Sequence, residues 1–180
     1  MSEHRERIGE ERAAGAGFRP ADDGDVRRML QWRNHPQVRG VSLTSHEIGL
    51  DEHTAWWTKA RVDPDRRVLM HLHRGVPSGV VTFAGLTSPE RALTWGFYLD
   101  VAGLDARGEL LPAWLSLEKA AIAYAFETLG AQTLGGETLT SNQPVLALHR
   151  RFGFRVVRQY EREIEGRPHQ VVWTEMSRGK

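Results

Sequence analysis

The spacing of apolar residues changes period several times along residues 18–176, and each change marks an element. Phe18-Arg19-Pro20 reads as a short edge strand, because Pro20 cannot donate to a ladder. Val26, Met29, Leu30 and Arg33 then follow Asp22 and Asp23 at helical spacing, with the acidic pair where a helix dipole favours it. Pro36 ends that helix, since it disfavours helical geometry at His35. Residues 40–50 read as a loop. Asp51 is the expected N-cap of "EHTAWWTKARV", whose apolar side includes Ala55, Trp56 and Ala60.

Three strand-like segments follow, "RRVLMHLHRG", "SGVVTFAGL" and "RALTWGFYLD", parted by Gly-, Pro- and Ser-containing turns. A long helix from Pro112 to Leu129 carries Leu111, Leu115, Ile122, Ala125 and Leu129 as its stripe and stops at Gly130. "QTLGGETL" is a strand in which Gly135-Gly136 marks a bulge or a close backbone approach. In "SNQPVLALHRRFGF", Val145, Leu148, His149 and Phe152 fall on one helical face; Ser141 or Asn142 caps it, and Gly153 ends it. "FRVVRQYEREIEG" and "RPHQVVWTEM" close the chain as a hairpin. The order β-α-α-β-β-β-α-β-α-β-β predicts an α/β fold, a mixed sheet with helices on both faces.

Composition narrows the classes. Of 180 residues, 40% are hydrophobic and 26% charged, which suits one globular domain. Residues 1–17 hold one isolated isoleucine among charges, alanine and glycine, so they are expected to form a flexible tail before a domain at 18–180. Net charge is +1, which offers no electrostatic case for nucleic acid or a membrane surface. No cysteine is present, so disulfides, thiolate zinc sites and a cysteine nucleophile are excluded. His71 and His73 share a strand face, but no third ligand stands at metal spacing, and a polar face is the reading adopted. Without a spanning apolar run or a signal-peptide h-region, a cytoplasmic protein is expected.

The element order, the strand ending in "SN", the short helix and the Gly-Phe exit resemble the GNAT superfamily of acyl-CoA-dependent N-acyltransferases over residues 18–176. "QWRNHPQVRGVSLTSHEIGLDEHTAWW" (31–57), "WGFYLD" (95–100) and residues 122–157 resemble aminosugar N-acetyltransferases of the pseudaminic-acid pathway type. Ribosomal-protein N-terminal acetyltransferases share the "WRN" and "GF" elements less fully.

The resemblance implies acetyl-CoA as co-substrate and a fourth and fifth strand that splay to admit its pantetheine arm. Backbone amides of Phe97, Tyr98 and Leu99 would then face the thioester, and Asn142 would contact the arm. The family's pyrophosphate loop aligns with "RGELLP". Arg107 and Gly108 fit it, but Leu110 and Pro112 stand where glycines are expected, and Pro112 removes an amide that a diphosphate would use. Either the remaining amides and Arg107 suffice, or another acyl donor or none is used; the first is adopted.

His149 occupies the place of a residue near the leaving thiolate, where an imidazole could supply a proton. Glu137, after the glycine pair, is the expected base, with His46, Glu47, His53 or a water chain as alternatives. Arg33 and Arg39 are expected to meet a nucleotide diphosphate. Trp32, with Trp57, is expected to stack on a base or sugar, with Trp56 assigned to the core, and His46 is placed among the acceptor contacts. The expected activity is acetylation of a small-molecule amine, a nucleotide-linked amino-dideoxysugar, with no metal. Peptide N-terminal acetylation and a non-catalytic binding module are the alternatives, and a homodimer through the C-terminal hairpin or a sheet edge is compatible with the fold.

Overall fold

In the computed structural model, which describes residues 17–179, β1 (Phe18–Pro20) leads into a single 3₁₀ turn at Asp23–Asp25. The turn forms because Asp22 accepts from the Gly24 amide at 2.8 Å while Asp25 accepts from the Asp22 amide at 3.0 Å, a capping box. Asp25 is buried and carries a price for it, which Arg19 offsets by forking onto both carboxylate oxygens at 2.6 and 2.7 Å. Burial pushes the Asp25 carboxyl up, but the Arg19 hydrogen bonds win and hold it below its ordinary range. The tail expected at residues 1–17 lies outside the described residues except for Gly17.

The chain continues through α1 (Val26–Arg33), the short α2 (Pro36–Arg39) and α3 (Leu50–Ala60). Next come β2 (Arg66–His73), β3 (Val76–Ala84), β4 (Ala92–Leu99) and α4 (Val101–Ala106). α5 (Leu110–Ala123) runs on as a π-turn at Tyr124–Thr128. β5 (Thr133–Leu139), α6 (Gln143–Arg151), β6 (Arg155–Ile164) and β7 (Arg167–Ser177) complete it. The seven strands lie in the order β1-β2-β3-β4-β5-β7-β6. All pairs are antiparallel except β4–β5, which the α5 crossover makes parallel. The mixed α/β sheet is as expected, and α2 and α4 are additions.

Two helix faces differ from expectation. α3 starts at Leu50, with Gly49 and not Asp51 at its N-cap, and buries His53, Trp57 and Ala60. The earlier start follows from Asn34, which clamps Ile48 through both its backbone groups at 2.8 and 2.9 Å. Trp57 is the inward tryptophan because its indole N–H finds Asp23 Oδ1 at 2.8 Å, whereas Trp56 is half-buried and stacks on His53. α5 buries Ala113, Leu117, Glu118 and Ala121 and leaves Leu111 exposed. The π-turn, closed by Leu129 N–H to Tyr124 C=O, inserts a residue. A 3.6-residue stripe extended back from Ile122–Leu129 is therefore out of phase at the start of the helix.

The sheet separates two cores. On one face Leu93, Trp95, Leu99, Leu134 and Phe154 pack with Leu117, Ala121 and Tyr124 of the long helix. On the other, Met29, Trp32 and Trp57 pack onto Val68, Met70 and Val80. Because helices cover both faces, β2 buries both of its sides, and His71 is fully buried. Burial lowers the His71 imidazole to about 4, so it is neutral at pH 7. Among the described residues no helix is long and apolar enough to cross a membrane.

Candidate active site

β4 and β5 pair over only three positions, Ala92–Thr133, Leu93–Leu134 and Thr94–Gly135, and then separate. β4 stays zipped to β3 as far as Leu99, and β5 stays zipped to β7 as far as Leu139. The gap is therefore a wedge between two supported strands. At its vertex a Cβ on Gly136 would lie 2.8 Å from the Trp95 carbonyl, and one on Gly135 would lie 2.9 Å from Trp173 Nε1. The glycine pair answers a close backbone approach, one of the two roles its sequence suggested.

The same contact orients β4. Trp95 aims its carbonyl at β5, so by the period of two the backbone groups of Phe97 and Leu99 also face the wedge. Tyr98 does not. Its carbonyl points at Gly79 of β3, and Asp100 N–H likewise donates to Ser78. Of the three expected donors, Tyr98 is corrected: its backbone belongs to the β3 ladder, and only its side chain reaches the cleft.

A cleft of about 700 Å³ opens at the wedge. On the α5–α6 side it is aromatic: Trp95, Phe97, Trp114 and His149 line it. His149 is 5% exposed. Its ring packs 4.9 Å from Phe154 and 5.6 Å from Trp95, and its Nδ1 meets Thr174 Oγ1 at 3.2 Å. Asn142 stands at the N-cap of α6 but makes no capping bond, and the side chain lines the cleft instead. Capping therefore does not account for it.

The opposite side is polar. Arg33, Thr44, Tyr98, Glu137 and Arg162 line it. Arg33 donates to both the carbonyl and the hydroxyl of Thr44 at 2.9 and 2.8 Å, which leaves its buried Nη1 without a partner among the described residues. Burial lowers the Arg33 guanidinium from its usual value, with Tyr98 acting against it, and burial raises the Tyr98 phenol. Glu137, the expected base, is half-buried and already engaged. Tyr160 donates to it at 2.6 Å, and Arg162 is ion-paired to its other oxygen.

Three expected acceptor contacts lie elsewhere. Trp32 is 6% exposed inside the second core, because it lies on the face of α1 that packs on β2 and β3. Arg39 pairs with Glu47 at 3.5 Å outside the cleft lining. His46 sits on the loop above, with Nδ1 on Glu165 at 2.5 Å and Nε2 on Glu52 at 3.0 Å. Arg162, Tyr160 and Trp114 are further residues at or behind the cleft wall, brought in by the hairpin and α5 from far along the chain. Glu118 is another: it falls between Leu117 and Ala121 on the buried face, a signal visible once the helix phase is known.

The expected diphosphate end lies at the start of α5. The amides of Arg107, Gly108 and Glu109 already donate to Leu104 and Asp105 carbonyls. With Pro112 lacking an N–H, Leu110 and Leu111 supply the amides that have no backbone acceptor among the described residues. The Arg74 and Arg107 guanidiniums are adjacent, held on Glu109 at 2.6 and 3.4 Å. Two amides, a 14-residue helix N-terminus and two cations fit a diphosphate, with fewer amides than the family loop supplies.

Comparison with known proteins agrees with this geometry. Residues 17–155 match the acetyltransferase (GNAT) domain model. Acetyltransferase PseH of Campylobacter jejuni is 24% identical over 139 residues, 77% of this chain and 82% of that protein. Its crystal structure has a TM-score of 0.61 at 16% identity, covering 88% of this chain and 93% of that one. The spermidine N-acetyltransferase of Vibrio cholerae, solved with CoA and spermine, has a TM-score of 0.75 at 17% identity, covering 89% and 94%. RimJ of Mycobacterium smegmatis, solved with CoA-disulfide, has a TM-score of 0.73 at 14% identity, covering 90% and 83%. At such identities these structures speak to the fold, and the family rests on the matched domain. That match runs from the residue before β1 to the first residue of β6 and takes in both splayed strands and the His149 helix, so the chain belongs to the GNAT acetyltransferase family.

Proposed function

We propose that the protein transfers the acetyl group of acetyl-CoA to the amine of a small molecule, a nucleotide-linked amino-dideoxysugar. The observation that carries the reading is the early parting of β4 and β5, which leaves Phe97 and Leu99 backbone groups facing a cleft with no strand opposite. When bound, acetyl-CoA supplies the activated acyl carbon. The Phe97 and Leu99 amides would donate to its carbonyl oxygen as negative charge develops there, which is the term that usually contributes most to acyl transfer. Leu110, Leu111, Arg74 and Arg107 would hold the diphosphate, and Asn142 the arm.

His149 is the proton donor for the departing sulfur in this reading, since its ring lines the cleft beside Trp95 and Phe97. Glu137 is assigned a different part from the base. Its oxygens are engaged by Tyr160 and Arg162, an arrangement that suits orienting the acceptor, and the amine proton leaves through water. Arg33 and Arg162 flank the acceptor end, where two guanidiniums match a diphosphate. The resemblance of residues 31–57 to aminosugar acetyltransferases and the match to PseH support the same substrate class.

Calorimetric titration with acetyl-CoA, followed by free-thiol release across nucleotide aminosugars, spermidine and basic N-terminal peptides, tests the proposal. Binding below millimolar concentration and release with an aminosugar alone are expected. Release with peptides alone or with spermidine alone would replace the acceptor. Absence of acetyl-CoA binding would make the domain a binding module.

A further inference from the structure

Behind the aromatic wall of the cleft, α5 carries Glu118 into the core. Its side chain is 0% exposed, and neither carboxylate oxygen has a hydrogen-bond partner among the described residues. An ionised carboxylate held that way is strongly disfavoured unless a partner compensates it. The group facing it is His149, whose Nε2 lies 3.4 Å from Glu118 Oε1. That is just beyond ordinary N–H···O reach, and Nε2 is itself buried and unpartnered. No other carboxylate stands within 4.0 Å of the ring nitrogens among the described residues. The remaining edge of the ring is on Thr174, and Trp95 and Phe154 restrict its rotation. With Nε2 carrying a hydrogen, the two buried atoms would satisfy each other as donor and acceptor.

We propose that Glu118 is the positioning residue of His149: its carboxylate takes the Nε2 edge of the ring as hydrogen-bond partner, which fixes the imidazole at the wall of the cleft. Glu118 does not line the cleft and touches no substrate. Its consequence for turnover rests on the acetyl-transfer reading, whereas the pairing does not. Over a turnover the acceptor amine gives up one proton and the departing sulfur takes up one, so the pair ends as it began.

Glu118→Gln keeps the shape and removes the charge. The ring ¹⁵N signals of His149, assigned from their loss in His149→Phe, are recorded on the protein without coenzyme. In Glu118→Gln the Nε2 signal is expected to move, because the carboxylate facing it is gone, while the Nδ1 signal on Thr174 changes less. Where turnover is measurable, kcat falls roughly 10–100-fold with acetyl-CoA affinity within about twofold. In a His149→Phe background the same substitution then has little further effect on kcat. Unchanged ring signals, or a kcat loss that simply adds to that of His149→Phe, would overturn the proposal. Should Glu118→Gln not fold, Glu118→Asp withdraws the carboxylate by one methylene and is read by the same signals. If wild-type protein fails to bind acetyl-CoA, the functional reading falls while the ring signals still decide the pairing.

Discussion

Gly136 and Trp95 meet with no room to spare: a Cβ on the glycine would stand 2.8 Å from the tryptophan carbonyl oxygen. The contact lies one residue beyond the last β4–β5 pair and so sets where the wedge begins. Gly136→Ala must push the strands apart at the vertex. We expect a loss of about 1–3 kcal/mol, as for other overpacked sites, with weaker acetyl-CoA binding. Gly96→Ala, where a Cβ meets nothing within 4 Å, is the stability control. Thermal unfolding checks both, and an unchanged melting temperature in Gly136→Ala would show that the strands are not held at this point.

The wedge was legible in part. The period of two in β4 and β5 and the helical period of α6 are written in side chains, and so is the glycine pair. Three things were not. The α5 stripe could not be phased through a π-turn, whose cause lies in backbone hydrogen bonds and not in residue type. Trp32 reads as a stacking surface until β2 and β3 cover it. The partners of Glu137 come from β6, whose residues Tyr160 and Arg162 reach it only because β7 pairs with both β5 and β6. Periodicity reports which face of an element is buried; it is silent on which distant element does the burying.

Pro112 takes away one of the amides at the start of α5, so Pro112→Ala should restore a donor at the diphosphate end. A hydrogen bond to a charged group contributes about 1.5–3 kcal/mol. We therefore expect acetyl-CoA to bind roughly tenfold or more tightly in calorimetry. The melting temperature of the free protein should drop slightly, because proline no longer restricts the unfolded chain. Equal affinity in both proteins would mean that the third amide does not face the coenzyme.

Arg33 keeps one nitrogen on Thr44 and leaves buried Nη1 open beside the polar wall. In Arg33→Ala the acceptor KM should rise about tenfold or more, with acetyl-CoA affinity unchanged because the coenzyme amides lie along β4 and α5. Arg33→Lys should recover little, since an ammonium cannot hold Thr44 and present a second donor in the same plane. Steady-state kinetics with the acceptor varied decides it. An unaltered KM would put Arg33 outside the acceptor site.

The loop over the acceptor end is tied to the β6–β7 turn by one titratable contact. His46 Nδ1 lies 2.5 Å from Glu165 Oε1, and Ser45 Oγ donates to Oε2 at 2.9 Å. The bond to Glu165, and then that to Glu52, raises the His46 imidazole above 6.5. The same bond, helped by Ser45, lowers Glu165 from 4.5 to about 2. These shifts describe one interaction from its two ends. The His46 contribution is complete below pH 6.5 and is lost as pH rises through the raised value. The Glu165 contribution is complete above pH 4.5 and is lost as pH falls towards about 2. The tie is thus fully made between pH 4.5 and 6.5. Because Leu43 and Thr44 of this loop line the cleft, the acceptor KM should be lowest in that window and climb at alkaline pH as the loop loosens. Both contacts are exposed, so added salt should shrink the effect. His46→Gln, which cannot carry the charge, should hold a higher KM that is flat through the same alkaline range. A wild-type profile as flat as that of the variant would show that the loop does not depend on this contact.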